Sequence, residues 1–127
     1  MGTDEHNVMK IRAREKELNY QVLNILEFSS DRYICLLLKM TYIHRKRMSI
    51  IVRDQDNQVH LYCKGADSIM FERISKDTPI RIRESTNYVL KAFGNEGLRT
   101  LVYASKKLDN DTYESWIQRY GVINISY

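Results

Sequence analysis

The residue types best suited to chemistry lie at positions 64–68, with the sequence Lys-Gly-Ala-Asp-Ser. This run follows a strand-like segment, 59–63, and leads into 67–73, which favours a helix with Asp67 as a candidate N-cap. Gly65 would let the backbone approach a bound group closely. A lysine held at such a turn is a point charge suited to a phosphate or to the polar edge of a ring. Most lysines are solvated surface residues, so the run alone does not define a site.

Strands are predicted on both sides of a polar tetrapeptide in the middle of the chain. Residues 48–52 and 58–63 are β-prone, and the Asp-Gln-Asp-Asn sequence at 54–57 between them predicts a hairpin. Residues 20–28 form a further strand candidate. The charged stretch 5–16 resembles a frayed lead-in or a short helix.

The second half of the chain predicts two longer helices around one strand. Apolar residues recur at helical spacing over 81–93, and Gly94 and Gly97 are candidate stops. Residues 98–104 are a candidate buried strand. The Asp-Asn-Asp sequence at 109–111 predicts the start of a last helix that runs to 119, with Gly121 as its stop. The pattern predicts an α+β domain, a mostly antiparallel sheet with flanking helices.

Composition limits the class of protein without choosing a ligand. With 127 residues, the chain has room for one modest core and one domain. A net charge of +4 suits a phosphate ligand, a nucleic acid or an anionic membrane surface. The longest apolar run, 34–38, is far shorter than the roughly 20 residues of a membrane span. Neither the two cysteines nor the three histidines have ligand spacing, so we expect a reduced cytosolic setting and no metal site. No Walker A loop is present.

Three sequence blocks resemble the nucleotide-binding domain of P-type ATPases, and more narrowly that of the type-IV branch, the phospholipid flippases. They are YQVLNILEFSSDR at 20–32 continuing as KRMSIIVR at 46–53, LYCKGAD at 61–67, and EGLRTL at 96–101. Their order and rough spacing match the family, and the resemblance covers about 15–120. Ion-pumping relatives usually have Pro-Glu after Lys-Gly-Ala, so Asp67 and the Arg-Lys-Arg-Met-Ser string at 45–49 favour the flippases.

The resemblance implies a site that grips mainly the adenosine end of ATP. Phe28 would stack on adenine, although composition alone favours a ring that ends a strand inside the core. Lys64 and Gly65 would line the adenine pocket, and Arg99 would reach the phosphates or the ribose. Weaker candidates for nucleotide binding are Ser29, Lys46 and Arg47. No catalytic residue is expected, and Mg²⁺ would be carried by the nucleotide and by a phosphorylation domain.

Two departures from the family affect this reading. The acidic Asp-Glu-Gly-Ala-Leu segment and the phosphorylation motif Asp-Lys-Thr-Gly do not occur. The chain is therefore expected to be a partial nucleotide-binding domain over 20–121, with a lead-in at 1–19 and a tail at 122–127, and to be inactive alone. In addition, a largely apolar, β-prone run of thirteen residues at 33–45 interrupts the first block. A retained in-frame intron and an ordinary extension of the hairpin both explain this insertion.

Two functions from different classes remain open at the sequence level. The first is the ATP-binding part of a phospholipid-translocating ATPase at the cytosolic face of a membrane. A phospholipid would be the partner of the whole protein, and an accessory subunit is a further candidate partner. The second is a small basic module that binds RNA or anionic lipid, suggested by the net charge and by basic clusters at 11–14 and 44–47. No recognised nucleic-acid motif supports the second, so no nucleic-acid partner is expected.

Overall fold

A computed structural model of the chain describes residues 8–13, 16–27 and 46–125. The elements, in chain order, are β1 (Val8–Ala13), β2 (Lys16–Leu26), β3 (Arg47–Arg53), β4 (Val59–Gly65), α1 (Asp67–Phe71), α2 (Ile80–Asn95), β5 (Val102–Leu108) and α3 (Asn110–Ile125). Among these residues, no helix is both long enough and apolar enough to span a bilayer.

The five strands form one antiparallel sheet in the order β1-β2-β3-β4-β5. Strand β1 pairs with β2 from Val8 opposite Gln21 to Ala13 opposite Lys16. Strand β2 pairs with β3 and contains an irregularity between Val22 and Asn24. The predicted fold class, an α+β domain with a mostly antiparallel sheet, is confirmed.

The predicted hairpin at 54–57 is also confirmed. The Asp54 amide donates to the Gln58 carbonyl at 3.0 Å, and Asn57 adopts a positive φ of 61°. The Asp54 carboxylate accepts hydrogen bonds from the amides of Gln58 and Asp56, and it lies 2.7 Å from Nε2 of His60. The hydrogen bond from the Gln58 amide is the main cause that lowers the pKa of Asp54, because it stabilises the charged carboxylate.

The described residues fall into two compact units. The first draws on 8–13, 16–26, 49–62 and 105–125, and the second on 27, 46–48 and 63–104. The first unit contains a hydrophobic cluster in which Ile51 and Val59 pack with Tyr113 of α3. Partly buried side chains that pack against this cluster are Leu23, Leu61, Leu108, Trp116 and Ile117. Helix α3 is therefore held by the sheet residues of its own unit.

Helix α3 begins as the sequence predicts. The Asp109 carboxylate accepts hydrogen bonds from the Thr112 amide at 2.6 Å and from its hydroxyl at 2.7 Å, the arrangement of an N-cap. These bonds lower the pKa of Asp109. The predicted stop at Gly121 is wrong, because the helix continues to Ile125. One glycine costs a helix only about 1 kcal/mol, and Trp116 and Ile117 anchor the preceding turn.

The second unit contains α1 and α2. Helix α2 ends as the sequence predicts at Gly97, whose φ is 74°. The Gly97 amide donates to the Gly94 carbonyl and the Leu98 amide to the Phe93 carbonyl, which is the Schellman pattern. Gly94 itself lies inside the helix and does not end it.

Two further predictions are corrected by the structure. Residues 8–13 form β1 and not a frayed lead-in or short helix, because Met9 and Ile11 alternate with charged residues at the period of a strand. The buried strand predicted at 98–104 is displaced to Val102–Leu108, and Leu98 and Leu101 before it are exposed. The domain boundaries at 20 and 121 stay predictions. The insertion at 33–45 lies outside the described residues.

Candidate functional site

Lys64 is the second-last residue of strand β4 and belongs to the second unit. Its neighbour Cys63 places Sγ 3.6 Å from Sδ of Met70, a buried residue of α1. Because successive side chains of a strand point to opposite faces, Lys64 lies on the face away from α1. The side chain of Lys64 is half-buried. Within the described part of the chain, its ammonium has no hydrogen bond or ion pair.

Gly65 is buried at the point where β4 meets the start of β3. A Cβ built on Gly65 would lie 2.7 Å from Cβ of Arg47 and 2.8 Å from the Lys46 carbonyl oxygen. Real Cβ atoms essentially never approach other atoms so closely, so only glycine fits between these strands. Gly65 thus packs closely against the neighbouring strand, and its predicted approach to a bound group stays a prediction.

Lys46 contacts the same turn through its backbone. Its carbonyl accepts a hydrogen bond from the Ala66 amide at 3.2 Å. Its φ is 43°, in the left-handed region that few non-glycine residues adopt. The side chain is exposed and, among the described residues, makes no hydrogen bond or ion pair. The structure therefore brings Lys46 next to Gly65, although the two are far apart in sequence.

Arg99 lies in the loop between α2 and β5, two residues after Gly97. Its side chain is exposed, and its guanidinium forms no hydrogen bond or ion pair with the residues that the structure describes. Arg99 belongs to the same unit as Lys46 and Lys64. That unit thus carries three cationic side chains with no partner in the described part of the chain, at the positions predicted from sequence.

Asp67 does not have its predicted role. The N-cap of α1 is Ala66, and no side chain caps the helix. Asp67 is the first helical residue, and its carboxylate accepts a hydrogen bond from the adjacent Ser68 amide at 2.7 Å. The connection between β4 and α1 is therefore fixed by backbone contacts, namely the close packing at Gly65 and the hydrogen bond of the Ala66 amide.

Phe28 and Ser29 lie outside the described residues, so their predicted places beside a nucleotide stay predictions. Over the ranges 8–13, 16–27 and 46–125, no group of three His, Cys, Asp or Glu side chains could hold a metal ion. Sequence reasoning missed two supports of the site. One is the Met70 contact of Cys63, and the other is the backbone contact of Lys46.

Comparison with known proteins decides the family. Residues 5–123 match the family described as P-type ATPase, cytoplasmic domain N. The chain belongs to this family. The assignment to P-type ATPases made from the Lys-Gly-Ala-Asp and Gly-Leu-Arg-Thr-Leu sequences is therefore confirmed.

Relatives from plants, animals and fungi carry names of the same branch. Probable phospholipid-transporting ATPase 5 of Arabidopsis thaliana is 45% identical over 100 residues, covering 79% of this chain and 7% of that protein. Phospholipid-transporting ATPase IC of Xenopus tropicalis is 41% identical over 111 residues, covering 87% and 8%. Phospholipid-transporting ATPase dnf2 of Schizosaccharomyces pombe is 36% identical over 116 residues, covering 91% and 7%. The N-domain chain thus spans only 7–8% of the length of these relatives.

Proposed function

We propose that this N-domain chain is the ATP-binding part of a phospholipid-translocating P-type ATPase. It would hold ATP for phosphorylation of an aspartate in another domain. The names of the relatives support phospholipid as the transported substrate. In the whole protein the domain would lie at the cytosolic face of a membrane, with an accessory subunit as a possible partner.

The observation that carries the proposal is the arrangement at the end of β4. Lys64 is half-buried on a strand whose exit is fixed by close packing at Gly65, and its ammonium has no partner among the described residues. An ammonium on a half-buried side chain that has no partner in the described part of the chain is a donor suited to an adenine ring edge or a phosphate.

The donor set of the second unit fits a nucleotide. Lys64 supplies a point charge, and Arg99 supplies a planar fork of N–H donors suited to phosphate oxygens. Phe28 would add a stacking surface worth about 1–3 kcal/mol for a base. Mg²⁺ would arrive with the nucleotide, where it neutralises phosphate charge. The work of these residues is to bind and orient ATP and to leave its phosphates accessible.

A titration of the 127-residue chain tests the proposal. At physiological salt, ATP should bind with a dissociation constant around millimolar, about 4 kcal/mol. Lys64→Gln should weaken this binding by about tenfold, since hydrogen bonds to charged groups contribute about 1.5–3 kcal/mol. Lys76→Gln is the matched control, because Lys76 is exposed in the loop after α1 and its loss removes the same charge.

A short single-stranded RNA is titrated in parallel. Tight RNA binding without a response to ATP would replace the proposed function with the basic-module reading. Equal weakening by Lys64→Gln and Lys76→Gln would show that net charge, and not the Lys64 site, attracts the nucleotide.

A further inference from the structure

We infer that Lys46 is a positioning residue of the nucleotide site and acts through its backbone, not through its ammonium. Its carbonyl and its left-handed conformation hold the exit of β4, and this fixes the strand end that carries Lys64. The inference rests on the proposed function of the N domain, because it concerns the same site.

The first support is the pair of contacts that join the two strand ends. The Lys46 carbonyl oxygen accepts the Ala66 N–H at 3.2 Å and would lie 2.8 Å from any Cβ at Gly65. One backbone oxygen of Lys46 therefore meets both residues that follow Lys64. We call these contacts of Lys46 with Gly65 and Ala66 the backbone clasp.

The second support is the conformation of Lys46. A φ of 43° is unfavourable for a residue with a Cβ, and it persists only where the surroundings impose it. Glycine adopts this region at no steric cost, and asparagine adopts it more readily than most residues. A valine is among the residues least able to adopt it. The residue type at position 46 thus controls how stable the clasp is.

The third support is the place of the Lys46 side chain. It is exposed and has no hydrogen bond or ion pair with the described residues, whereas the backbone of the same residue is engaged. Cys63, the residue before Lys64, contacts Met70 of α1 with their sulfur atoms 3.6 Å apart. The backbone contacts of Lys46 follow Lys64 and the sulfur contact precedes it, so both neighbours of Lys64 in β4 are engaged.

Two substitutions at position 46 separate the backbone from the charge. Lys46→Gly and Lys46→Val both remove one positive charge, but only glycine accepts the left-handed conformation. ATP is titrated into the wild-type chain and both variants at physiological salt, and hydrogen exchange of the Ala66 amide is measured without nucleotide. Lys46→Asn serves as a second variant that tolerates the conformation, and thermal unfolding establishes that each variant is folded at the temperature used.

The inference predicts a split between the variants. Lys46→Gly and Lys46→Asn should keep the dissociation constant for ATP within about twofold and keep slow exchange at Ala66. Lys46→Val should weaken ATP binding and speed Ala66 exchange by a factor of at most about 5–30, which is the full cost of the left-handed conformation for a residue with a Cβ and of which lysine already carries a part. The apparent affinity for ATP falls in proportion to the fraction of molecules in which the clasp stays formed.

Three results would overturn the inference. Equal weakening by all three variants with unchanged Ala66 exchange would mean that the ammonium of Lys46 itself binds the nucleotide. Unchanged ATP binding in a Lys46→Val chain whose Ala66 amide is no longer protected would mean that the clasp does not position Lys64, and unchanged Ala66 exchange would mean that residue 46 does not control the clasp. A wild-type chain that binds no ATP would instead refute the proposed function, and the role of Lys46 with it.

Discussion

Helices α2 and α3 have equal lengths of 16 residues but differ in how the chain uses them. Helix α3, in the first unit, buries Tyr113 against Ile51 and Val59. Helix α2, in the second unit, buries no residue, although its sequence has the stronger amphipathic pattern. Ile82, Val89 and Phe93 of α2 are all exposed. The hydrophobic cluster thus lies in the first unit, and the exposed helix α2 belongs to the unit that we propose to bind the nucleotide.

The largest effect that separates the two helices is expected at their tyrosines. Tyr113 is 8% exposed and donates through its hydroxyl to Oδ1 of Asn24 at 2.9 Å, whereas Tyr88 of α2 is 76% exposed. Tyr113→Ala should lower the free energy of unfolding by about 3–5 kcal/mol, because it leaves a cavity in the cluster. Tyr88→Ala should stay within about 0.5 kcal/mol. Denaturant unfolding measures both, and similar losses would remove the distinction between the helices.

A medium effect is expected at two glycines of the second unit. Gly65→Ala should destabilise the fold by about 1–3 kcal/mol, because its Cβ would collide with Arg47 and with the Lys46 carbonyl. A Cβ at Gly94 meets nothing within 4 Å, and the residue lies in α2. Gly94→Ala should therefore stabilise by about 0.5–1 kcal/mol. Thermal unfolding of both variants measures these changes, and an unfolding temperature left unchanged by Gly65→Ala would contradict the close packing at the end of β4.

The smallest effect concerns the helix starts and depends on pH. Hydrogen bonds from Thr112 lower the pKa of Asp109 below its ordinary value of 3.8. The contribution of the Asp109 carboxylate to stability is therefore present above the pKa that Asp109 has in the unfolded chain. It is lost as the pH falls through the lower pKa of the folded chain. Asp109→Asn keeps an acceptor but does not titrate, so its unfolding temperature should fall less between pH 5 and pH 2.

The control for Asp109 is Asp67, the acidic residue at the start of helix α1. Asp67 is the first residue of α1 and not its N-cap, so Asp67→Asn should leave the acid sensitivity of the unfolding temperature closer to that of the wild type. An equal effect of the two substitutions would mean that capping of α3 does not contribute to acid sensitivity.

Local chemistry explains which parts of the fold were predictable. The hairpin at 54–57 and the N-cap at Asp109 depend on short-range hydrogen bonds of Asp side chains, so their sequences predict them. The stop at Gly97 was predictable for the same reason, because glycine is the residue that most readily adopts the positive φ found after the end of a helix. By contrast, the start of β5 depends on pairing with a distant strand, and an apolar run such as 98–104 does not mark it.

The residue types of the candidate site were predictable, but the backbone contacts that hold the end of β4 were not. Lys64, Gly65 and Arg99 were found because their sequence blocks resemble a family. The left-handed Lys46 could not be found in this way, because a lysine gives no signal for positive φ and its carbonyl contact with Ala66 joins distant parts of the chain. Such contacts are determined by tertiary packing, which a single sequence does not reveal.

The central claim is that the second unit binds the nucleotide and the first unit does not. The most direct test is a map of backbone amide shifts over the whole N-domain chain during a titration with ATP. The largest shifts should lie at 63–66, at Lys46 and around Arg99, with unchanged amides for Ile51, Val59 and Tyr113. Shifts concentrated at the exposed Lys10 and Arg12 of β1, or the same pattern with inorganic sulfate alone, would contradict the account.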